Sequence, residues 1–239
     1  MELLRAGAQK LGRQLNPKQL EQFQTYYEEL VDWNQRMNLT AITDCEEVQT
    51  KHFLDSLTVT LALEPDMAVD KQRFIDVGTG AGLPGLPLKS LFPGIRLALL
   101  DATAKKAAFL RHVTGKLGLD EVEVVVGRAE EIAHLSPYRE SFDIVLSRAV
   151  APLPALVELT LPFCAIGGRV IVQKKGRIEL EISRATNAIS TMGGSLREVK
   201  RVDLAELPDE RRLIIIDKVT ATPPQYPRRP GIPAKRPLV

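Results

Sequence analysis

The segment Asp76–Gly85 joins a run of apolar residues to closely spaced glycines and then to a helix-like stretch. Glycines let the backbone turn sharply and let a ligand approach it closely. The first turn of the following helix presents free N–H groups. In open α/β sheets, a crevice of this kind at the carboxyl end of a strand binds ligands. The segment therefore predicts a small-molecule site.

Two kinds of ligand fit this loop. Gly80, Gly82 and Gly85 match the dinucleotide fingerprint, with Asp101 about 20 residues further on. Asp76 favours S-adenosylmethionine (SAM), because a carboxylate attracts the ammonium and sulfonium groups of SAM and repels a pyrophosphate. The glycines also begin at Gly78, directly after the strand. We expect SAM as the cofactor, with a dinucleotide site or a ligand-free glycine turn as the alternatives.

Acidic residues follow the next two predicted strands. Asp101 is expected to accept hydrogen bonds from the ribose hydroxyls, or else to cap the following helix, for which Thr103 is an equal candidate. Glu130, with the backbone of Ala129, is expected to accept the exocyclic amine of adenine. The alternative for Glu130 is a solvent-facing acid in a first helical turn.

The predicted strand Phe142–Leu146 ends where this fold brings the transferred methyl group to its acceptor. The chain has no Asn/Asp-Pro-Pro-aromatic motif there, and Cys164 lies in an apolar stretch typical of a buried side chain rather than a nucleophile. Guanine N7 carries a lone pair and no proton, so its methylation needs alignment, which can supply roughly 7–11 kcal/mol. Arg148 is expected to position the SAM carboxylate or an RNA phosphate; the alternative is an ordinary surface arginine.

Short apolar runs alternate with helix-like segments after residue 72. The predicted strands are Arg73–Val77, Leu97–Leu100, Val122–Val126, Phe142–Leu146, Arg169–Val172 and Leu213–Asp217. The predicted helices between them are Pro87–Phe92, Lys105–Leu117, Ala129–Ala133, Leu153–Leu161 and Leu180–Met192. This alternation predicts an α/β fold with a parallel sheet covered on both faces. A further strand, Leu196–Val202, would pair with Leu213–Asp217 across the loop around Pro208, giving the late antiparallel hairpin of class I SAM-dependent methyltransferases.

The chain divides into three predicted regions. Residues 1–70 form an N-terminal helical extension, with helices over Pro17–Met37, capped by Asn16, and over Glu46–Leu63, ending at the break from Pro65 to Gln72. Residues 71–219 form the Rossmann-like SAM-binding core. Residues 220–239 contain six prolines, four basic residues and no acid. We expect these last residues to form an extended tail rather than a packed element.

Composition narrows the class of protein. The 239 residues, 44% hydrophobic, suffice for a large core without cross-links, and two distant cysteines allow neither a disulfide framework nor a zinc site. We find no signal peptide and no apolar run long enough for a membrane span. A net charge of +2 does not by itself indicate nucleic-acid binding. We expect a cytoplasmic, monomeric protein without metal or membrane contact.

Basic residues mark two candidate RNA contacts. In the tail, Arg228, Arg229, Lys235 and Arg236 could neutralise phosphates, the alternative being a disordered solubilising segment. Tyr226 could stack on a base or fill a groove on the sheet. In the N-terminal region the candidates cluster in sequence: Asn38, Lys51, His52 and Asp55.

Lys51 and Asp55 lie four residues apart in the second predicted helix. This spacing places them on one face, which we expect to overhang the crevice and to contact the guanine or the RNA backbone near it. An intrahelical ion pair is an equal alternative. His52 is not expected to act as a base, because N7 has no proton to remove.

Several motifs, in order along nearly the whole chain, resemble the bacterial small-subunit ribosomal RNA methyltransferase G family. They are Trp33–Asn34, Asn38–Thr40, Lys51–Leu57, Asp76–Gly85, Ser147–Ala149 and Tyr226–Leu238. The resemblance implies SAM-dependent methylation of N7 of guanine 527, in the 530 loop of 16S rRNA, in the bacterial cytoplasm. It implies SAM contacts at Gly78, Leu83, Ala129, Glu130 and Arg148, and a further cofactor contact at Asp101, Ala102 and Thr103. Many members carry phenylalanine in place of Leu83, and either side chain can form an apolar wall.

Three functions are open at this point. The first is the rRNA guanine-N7 methyltransferase acting on the small ribosomal subunit. The second is a methyltransferase that acts on another RNA or on a small molecule. Salt-dependent RNA binding would distinguish an RNA substrate from a small molecule. The third is a non-enzymatic ribosome assembly factor, which would bind SAM without turnover.

Overall fold

The structure is a computed structural model that describes residues 1–64, 69–148, 150–207 and 209–239. Within these residues, seven strands form one sheet. The strands are β1 Arg73–Val77, β2 Arg96–Asp101, β3 Val122–Val126, β4 Phe142–Arg148, β5 Cys164–Lys175, β6 Gly194–Val202 and β7 Arg211–Lys218. All seven predicted strands are present, and several are longer than predicted.

The sheet has the strand order β3-β2-β1-β4-β5-β7-β6. Strands β1 to β5 pair in parallel, and β7 is antiparallel to both β5 and β6. This arrangement confirms the mostly parallel sheet with a late antiparallel hairpin. Pro208, in the loop of that hairpin, lies outside the described residues, as do residues 65–68 beside the predicted domain boundary.

The helices that cover the sheet agree with the predicted segments to within about two residues. They are α5 Gly85–Leu91, α6 Ala104–Lys116, α7 Ala129–Ile132, α8 Leu153–Thr160 and α9 Glu179–Thr191. The helices α5 to α8 each connect one parallel strand to the next, as crossover connections between parallel strands require.

The N-terminal region consists of helices of three kinds. α1 spans Glu2–Lys10 and α2 spans Pro17–Met37, where Asn16 accepts from the backbone N–H of Gln19 in a capping box. The predicted single helix Glu46–Leu63 is wrong in detail. It consists of α3 (Cys45–Glu47), a π-helix (Val48–Leu54), α4 (Asp55–Leu57) and a 3₁₀-helix (Thr58–Ala62). Apolar spacing alone does not reveal such changes of winding, and π-helical turns often occur at functional sites.

Two apolar clusters lie on opposite faces of the sheet, because successive side chains of a strand alternate between faces. Phe74 of β1 packs with Phe23 and Phe53 of the N-terminal helices. Ile75 and Val77 of the same strand pack on the opposite face with residues of α8 and α9. The N-terminal helices therefore share a core with the sheet.

The prediction of an unpacked tail is wrong. Residues 232–235 form a short helix, α10 (Ile232–Lys235), and Pro227 and Pro233 are buried. Arg139 donates hydrogen bonds to the carbonyl oxygens of Thr222, Pro223 and Tyr226. Proline composition predicted the absence of regular structure, but long-range hydrogen bonds fix the tail on the body.

No helix in the described part of the chain combines the length and the apolar character needed to cross a bilayer.

Candidate active site

The carboxyl ends of β1 to β5 lie at one edge of the sheet because these strands are parallel. Their connections turn in opposite directions on the two sides of β1 and β4, which makes this pair the switch point where ligands bind. The hydroxyl of Ser147 in β4 donates to the carbonyl oxygen of Val77 at 2.8 Å. This bond fixes the two strand ends relative to each other.

The glycine loop begins directly after β1. Gly78, Gly80 and Gly82 have φ values of 73°, 61° and 93°, a region that favours glycine. A Cβ added at Gly80 would meet no atom within 4 Å, so open space lies in front of the backbone there. A Cβ added at Gly78 would lie 2.5 Å from Cγ2 of Val150. The loop thus offers bare backbone to a ligand.

Asp76 holds the loop from below. Its Oδ2 accepts from the Thr79 hydroxyl at 2.7 Å and from the Gly85 N–H at 2.8 Å. Burial raises the pKa of Asp76 to about 6, although both hydrogen bonds lower it. Oδ1 is buried and has no partner among the described residues. Asp76 therefore fixes the loop and carries one unpaired oxygen at the predicted cofactor site.

Asp101 closes the other side of the loop. Its Oδ2 accepts from the Gly80 N–H at 3.0 Å, and its Oδ1 accepts from the Thr103 N–H at 2.8 Å. Thr103, not Asp101, occupies the N-cap position of α6. Ala102 and Thr103 are exposed. Asp101, Ala102 and Thr103 therefore lie together beside Gly80 of the loop.

Glu130 lies in the first turn of α7, directly after β3, and is 8% exposed. The alternative of a solvent-facing acid is therefore wrong. Oε1 of Glu130 accepts from the N–H of Gly231 at 2.9 Å. Ala129 is half-buried. Leu83 is buried in the apolar cluster between the sheet and the N-terminal helices.

Arg148, the last residue of β4, forms an ion pair with Asp55 across the crevice. Its Nη1 lies 3.1 Å from Oδ2 of Asp55, and its side chain is 15% exposed. The alternative of an ordinary surface arginine is wrong. Oδ1 of Asp55 accepts from Nε of Arg211, the first residue of β7, at 2.8 Å. One buried carboxylate thus joins two guanidinium groups.

The alternative of an ion pair between Lys51 and Asp55 is wrong. Lys51 pairs with Glu47 at 2.6 Å. Asp55 is 2% exposed, so it supports the arginines from inside and is not placed to contact RNA. Lys51 is half-buried, and Asn38, in the left-handed conformation that ends α2, is exposed.

A pocket of about 370 Å³ opens beside Arg148. Its lining combines several cationic side chains with the single carboxylate of Asp55: Lys51, Arg148, Lys174, Lys175 and Arg211. Nη2 of Arg211 is buried without a partner among the described residues. Lys174 and Lys175 also pair with Glu181 and Asp209, which lie outside the lining, so the lining itself is predominantly cationic.

His52 also lines this pocket but is a poor base. Burial and the charge of Arg148 lower its pKa to about 4. One ring nitrogen lies 2.7 Å from the Thr40 hydroxyl and the other lies 3.2 Å from the Lys51 carbonyl oxygen. Both nitrogens of the neutral ring are thus engaged. Cys164 is fully buried, as predicted, and burial raises the pKa of its thiol to about 12, so little thiolate forms.

The basic residues of the tail differ in their surroundings. Arg228 pairs with Glu158 at 2.7 Å, whereas Arg229, Lys235 and Arg236 are exposed. Tyr226 packs against the cluster beneath α8 and α9, as its groove-filling alternative predicted.

Sequence reasoning missed four contributors to this site. Lys174 and Lys175 lie at the carboxyl end of β5, at the same edge of the sheet as Arg148 at the end of β4. Their place just after an apolar run could have been recognised in the sequence. Arg211 reaches the edge because β7 runs in the opposite direction, with Arg211 paired to Lys175. The interaction of Glu158 with Arg228 gives no local sequence signal.

The residues present fit SAM. Three carboxylates, those of Asp76, Asp101 and Glu130, lie at or just beyond the carboxyl ends of three adjacent strands, which suits a cationic ligand better than a pyrophosphate. The open space in front of Gly80 allows a ligand to contact the loop. Among the described residues, no group of three or more His, Cys, Asp or Glu side chains is arranged to hold a metal ion.

Comparisons with solved structures agree with the fold. TrmN from Thermus thermophilus is 22% identical with a TM-score of 0.52, covering 70% of this chain and 48% of that one. M. jannaschii TYW2, solved in complex with AdoMet, is 13% identical with a TM-score of 0.51, covering 64% of this chain and 72% of that one. At such identities the likeness concerns the fold alone.

Comparisons of sequence are more specific. A ribosomal RNA small subunit methyltransferase G from Dehalococcoides mccartyi is 55% identical over 98% of this chain and 97% of its own. A protein of the same name from Moorella thermoacetica is 48% identical over 99% of this chain and 97% of its own. The family model described as rRNA small subunit methyltransferase G matches residues 19–213. The chain therefore belongs to the rRNA small subunit methyltransferase G family.

Proposed function

We propose that this protein transfers the methyl group of SAM to N7 of guanine 527, in the 530 loop of 16S rRNA of the small ribosomal subunit. The protein is a SAM-dependent methyltransferase, as its family is. SAM, when bound, supplies an electrophilic methyl group on a sulfonium.

The observation that carries the choice of N7 lies at the carboxyl end of β4, called the reaction corner here. Among the described residues it holds a fixed arginine and no available base. Arg148 is held by Asp55, and His52 has both ring nitrogens engaged and a pKa of about 4. An acceptor amine would have to lose a proton to such a base. N7 has a lone pair and needs only alignment. A positioning role for Arg148 therefore suffices for the reaction.

The cofactor-binding residues have separate proposed roles. Asp76 and the bare backbone of Gly78 and Gly80 bind the amino-acid end of SAM, and Leu83 supports the loop from the core. Asp101 accepts from the ribose hydroxyls, beside the rim formed by Ala102 and Thr103. Ala129 and Glu130 accept from the adenine amine. Arg148 pairs with the SAM carboxylate or with an RNA phosphate.

Two groups of residues bind the RNA in this proposal. The first is the cationic pocket, where Lys51, Lys174 and Lys175 join Arg148, with His52 at the wall and Asn38 on the adjoining surface. The second is the set of exposed tail cations, Arg229, Lys235 and Arg236. Asp55 and Arg228 serve these groups indirectly: Asp55 is buried behind Arg148, and the guanidinium of Arg228 is held by the buried carboxylate of Glu158.

The proposed substrate also implies a cytoplasmic location. Neither the positioning mechanism nor the cationic pocket requires a metal ion. A single chain contributes all of the residues assigned here, so we propose that the enzyme acts as a monomer.

The test is methyl transfer to defined RNA substrates. Small ribosomal subunits from a strain without this activity, naked 16S rRNA and tRNA would each be incubated with methyl-labelled SAM. Digestion to nucleosides and mapping would then identify the product. We expect 7-methylguanosine at position 527, and slow transfer by an Arg148→Ala variant even at SAM concentrations that saturate it.

Other outcomes would point elsewhere. Label at another site or in tRNA would contradict the proposed substrate but keep the class of enzyme. SAM binding without label in any of the three RNAs would contradict the reaction and favour an assembly factor.

A further inference from the structure

The tail crosses the helices that follow β3 and β4, next to the cofactor-binding edge. His134, just after α7, lies 2.8 Å from the carbonyl oxygen of Pro227. Arg139 binds the preceding part of the tail. Further on, Leu238 packs in the apolar cluster that contains residues of α8 and α9. The tail is therefore seated against the wall of the proposed adenine site.

A buried ion pair determines this path. Glu158 of α8 is fully buried, and a buried carboxylate must be paired. Arg228 supplies that pairing: its backbone N–H donates to Oε1 at 2.7 Å, and its guanidinium donates to both oxygens, at 2.7 to 3.2 Å. Backbone and side chain are held together, so the direction of the chain after Arg228 is fixed.

Three residues later the tail meets the cofactor site. Gly231 has a φ of 81°, a conformation that favours glycine, and its N–H donates to Oε1 of Glu130 at 2.9 Å. This bond comes from a backbone 101 residues away in sequence. Oε2 of Glu130 accepts a hydrogen bond from no group in the described part of the chain, and it is accessible to solvent. It is therefore the oxygen left for a ligand.

We propose that Arg228 and Glu158 are positioning residues for adenine recognition. They seat the tail so that the Gly231 N–H holds one oxygen of Glu130, which orients the other toward the exocyclic amine of adenine. The inference rests on the proposed cofactor role of Glu130. It assigns the C-terminal segment to the SAM site, in addition to any contact with RNA.

The proposal predicts a particular specificity. An oriented carboxylate accepts a hydrogen bond from the adenine amine but repels the carbonyl oxygen that hypoxanthine carries at the same position. A site built to pair a polar group strongly rejects an analogue that lacks it. Loosening the tail should therefore weaken discrimination between the two bases, and not merely overall binding.

The test compares S-adenosylhomocysteine with S-inosylhomocysteine by isothermal titration calorimetry on the full chain without RNA. In the unmodified protein we expect the adenine ligand to bind at least about tenfold more tightly, the size of one charged hydrogen bond. In Arg228→Ala we expect that ratio to fall severalfold toward one. Arg201→Ala is the matched control, because Arg201 also pairs with an acid, Asp203, but on the exposed strand β6.

A second measurement avoids the risk that Arg228→Ala folds poorly. Hydrogen–deuterium exchange on the unmodified protein should show slower exchange over residues 229–235 when S-adenosylhomocysteine binds. Unchanged exchange there would overturn the proposal. So would an Arg228→Ala variant that keeps the full discrimination, or one that loses affinity for both ligands equally.

Glu130→Gln separates this inference from the proposed reaction. We expect this variant to lose discrimination as Arg228→Ala does. If it keeps full discrimination, Glu130 does not read adenine and the inference fails, while rRNA methylation by the unmodified protein would still support the proposed reaction.

Discussion

Asp55 and Arg148 form a 3.1 Å ion pair that links the N-terminal helical region to the end of β4. The same carboxylate binds Arg211 of β7 at 2.8 Å. The amide of Gln173 in β5 donates to the backbone carbonyl of Asp55 at 2.6 Å. The N-terminal region therefore supplies the carboxylate that holds Arg148 at the end of β4.

Replacing Asp55 with asparagine should leave two guanidinium groups without their shared anion. Removing one partner of a buried ion pair costs about 3–5 kcal/mol. We expect the free energy of unfolding, measured in urea, to fall by about that amount. In the fraction that stays folded, the single-turnover rate should fall by about tenfold or more because Arg148 loses its orientation.

Asp32→Asn is the control, since Asp32 pairs with Arg36 on the exposed surface of α2. Its cost should be below about 1 kcal/mol. Equal costs for the two variants would contradict a buried role for Asp55.

The glycine loop allows a test in which backbone strain is matched. Gly80 and Gly12 both have positive φ, 61° and 72°, and an added Cβ meets no atom at either position. Alanine at each should cost about 1–2 kcal/mol of stability. Only Gly80→Ala should weaken SAM binding, because its methyl group would project into the open space in front of the glycine loop, where we propose that SAM binds. Calorimetry showing the same SAM affinity for both variants would place the cofactor elsewhere.

The pKa of His52 predicts a dependence of stability on pH. Its pKa is about 4 in the folded chain, against an ordinary value of 6.5 for a histidine, so the folded state resists protonation. The resulting contribution is fully present above about pH 6.5 and is lost as the pH falls toward 4. It amounts to about 3 kcal/mol.

The measurement is the difference in unfolding free energy between the unmodified protein and His52→Gln. Asp76, whose pKa is raised to about 6, acts in the opposite sense, since acid favours its folded form, and its effect cancels in the difference. A difference that does not change between about pH 7 and 4 would show that His52 titrates normally.

Substitution of the three exposed tail cations, Arg229, Lys235 and Arg236, by alanine should reduce the salt dependence of RNA binding. Each phosphate contact contributes about 0.7 to the slope of log affinity against log salt on single strands, so the slope should fall by about 2. The control removes three exposed cations elsewhere, Arg5, Lys18 and Arg201, and should leave the slope unchanged. Equal changes in both triple variants would indicate an effect of net charge alone.

The local parts of this site could be predicted from the sequence. Asp76, Asp101 and Glu130 each follow an apolar run, and the carboxyl ends of parallel strands lie at one edge. The loop glycines were also predictable, because a sharp turn after a strand requires their conformational freedom.

The long-range parts could not be predicted. Asp55 and Lys51 share the predicted helix Glu46–Leu63, whose spacing suggested a common face. In the structure, pairing with Arg148 and Arg211 buries Asp55. Arg211 comes to the site because β7 is antiparallel. The path of the tail depends on Arg228 meeting Glu158, and neither residue carries a local signal of that contact.

The most direct test of the central claim is the single-turnover formation of 7-methylguanosine at position 527 in small subunits, followed as a function of pH. A transfer that needs alignment by Arg148 and no base predicts that product, at a rate that changes by less than about twofold between about pH 6.5 and 8.5. A different methylated nucleotide, or a rate that rises about tenfold per pH unit, would contradict the account.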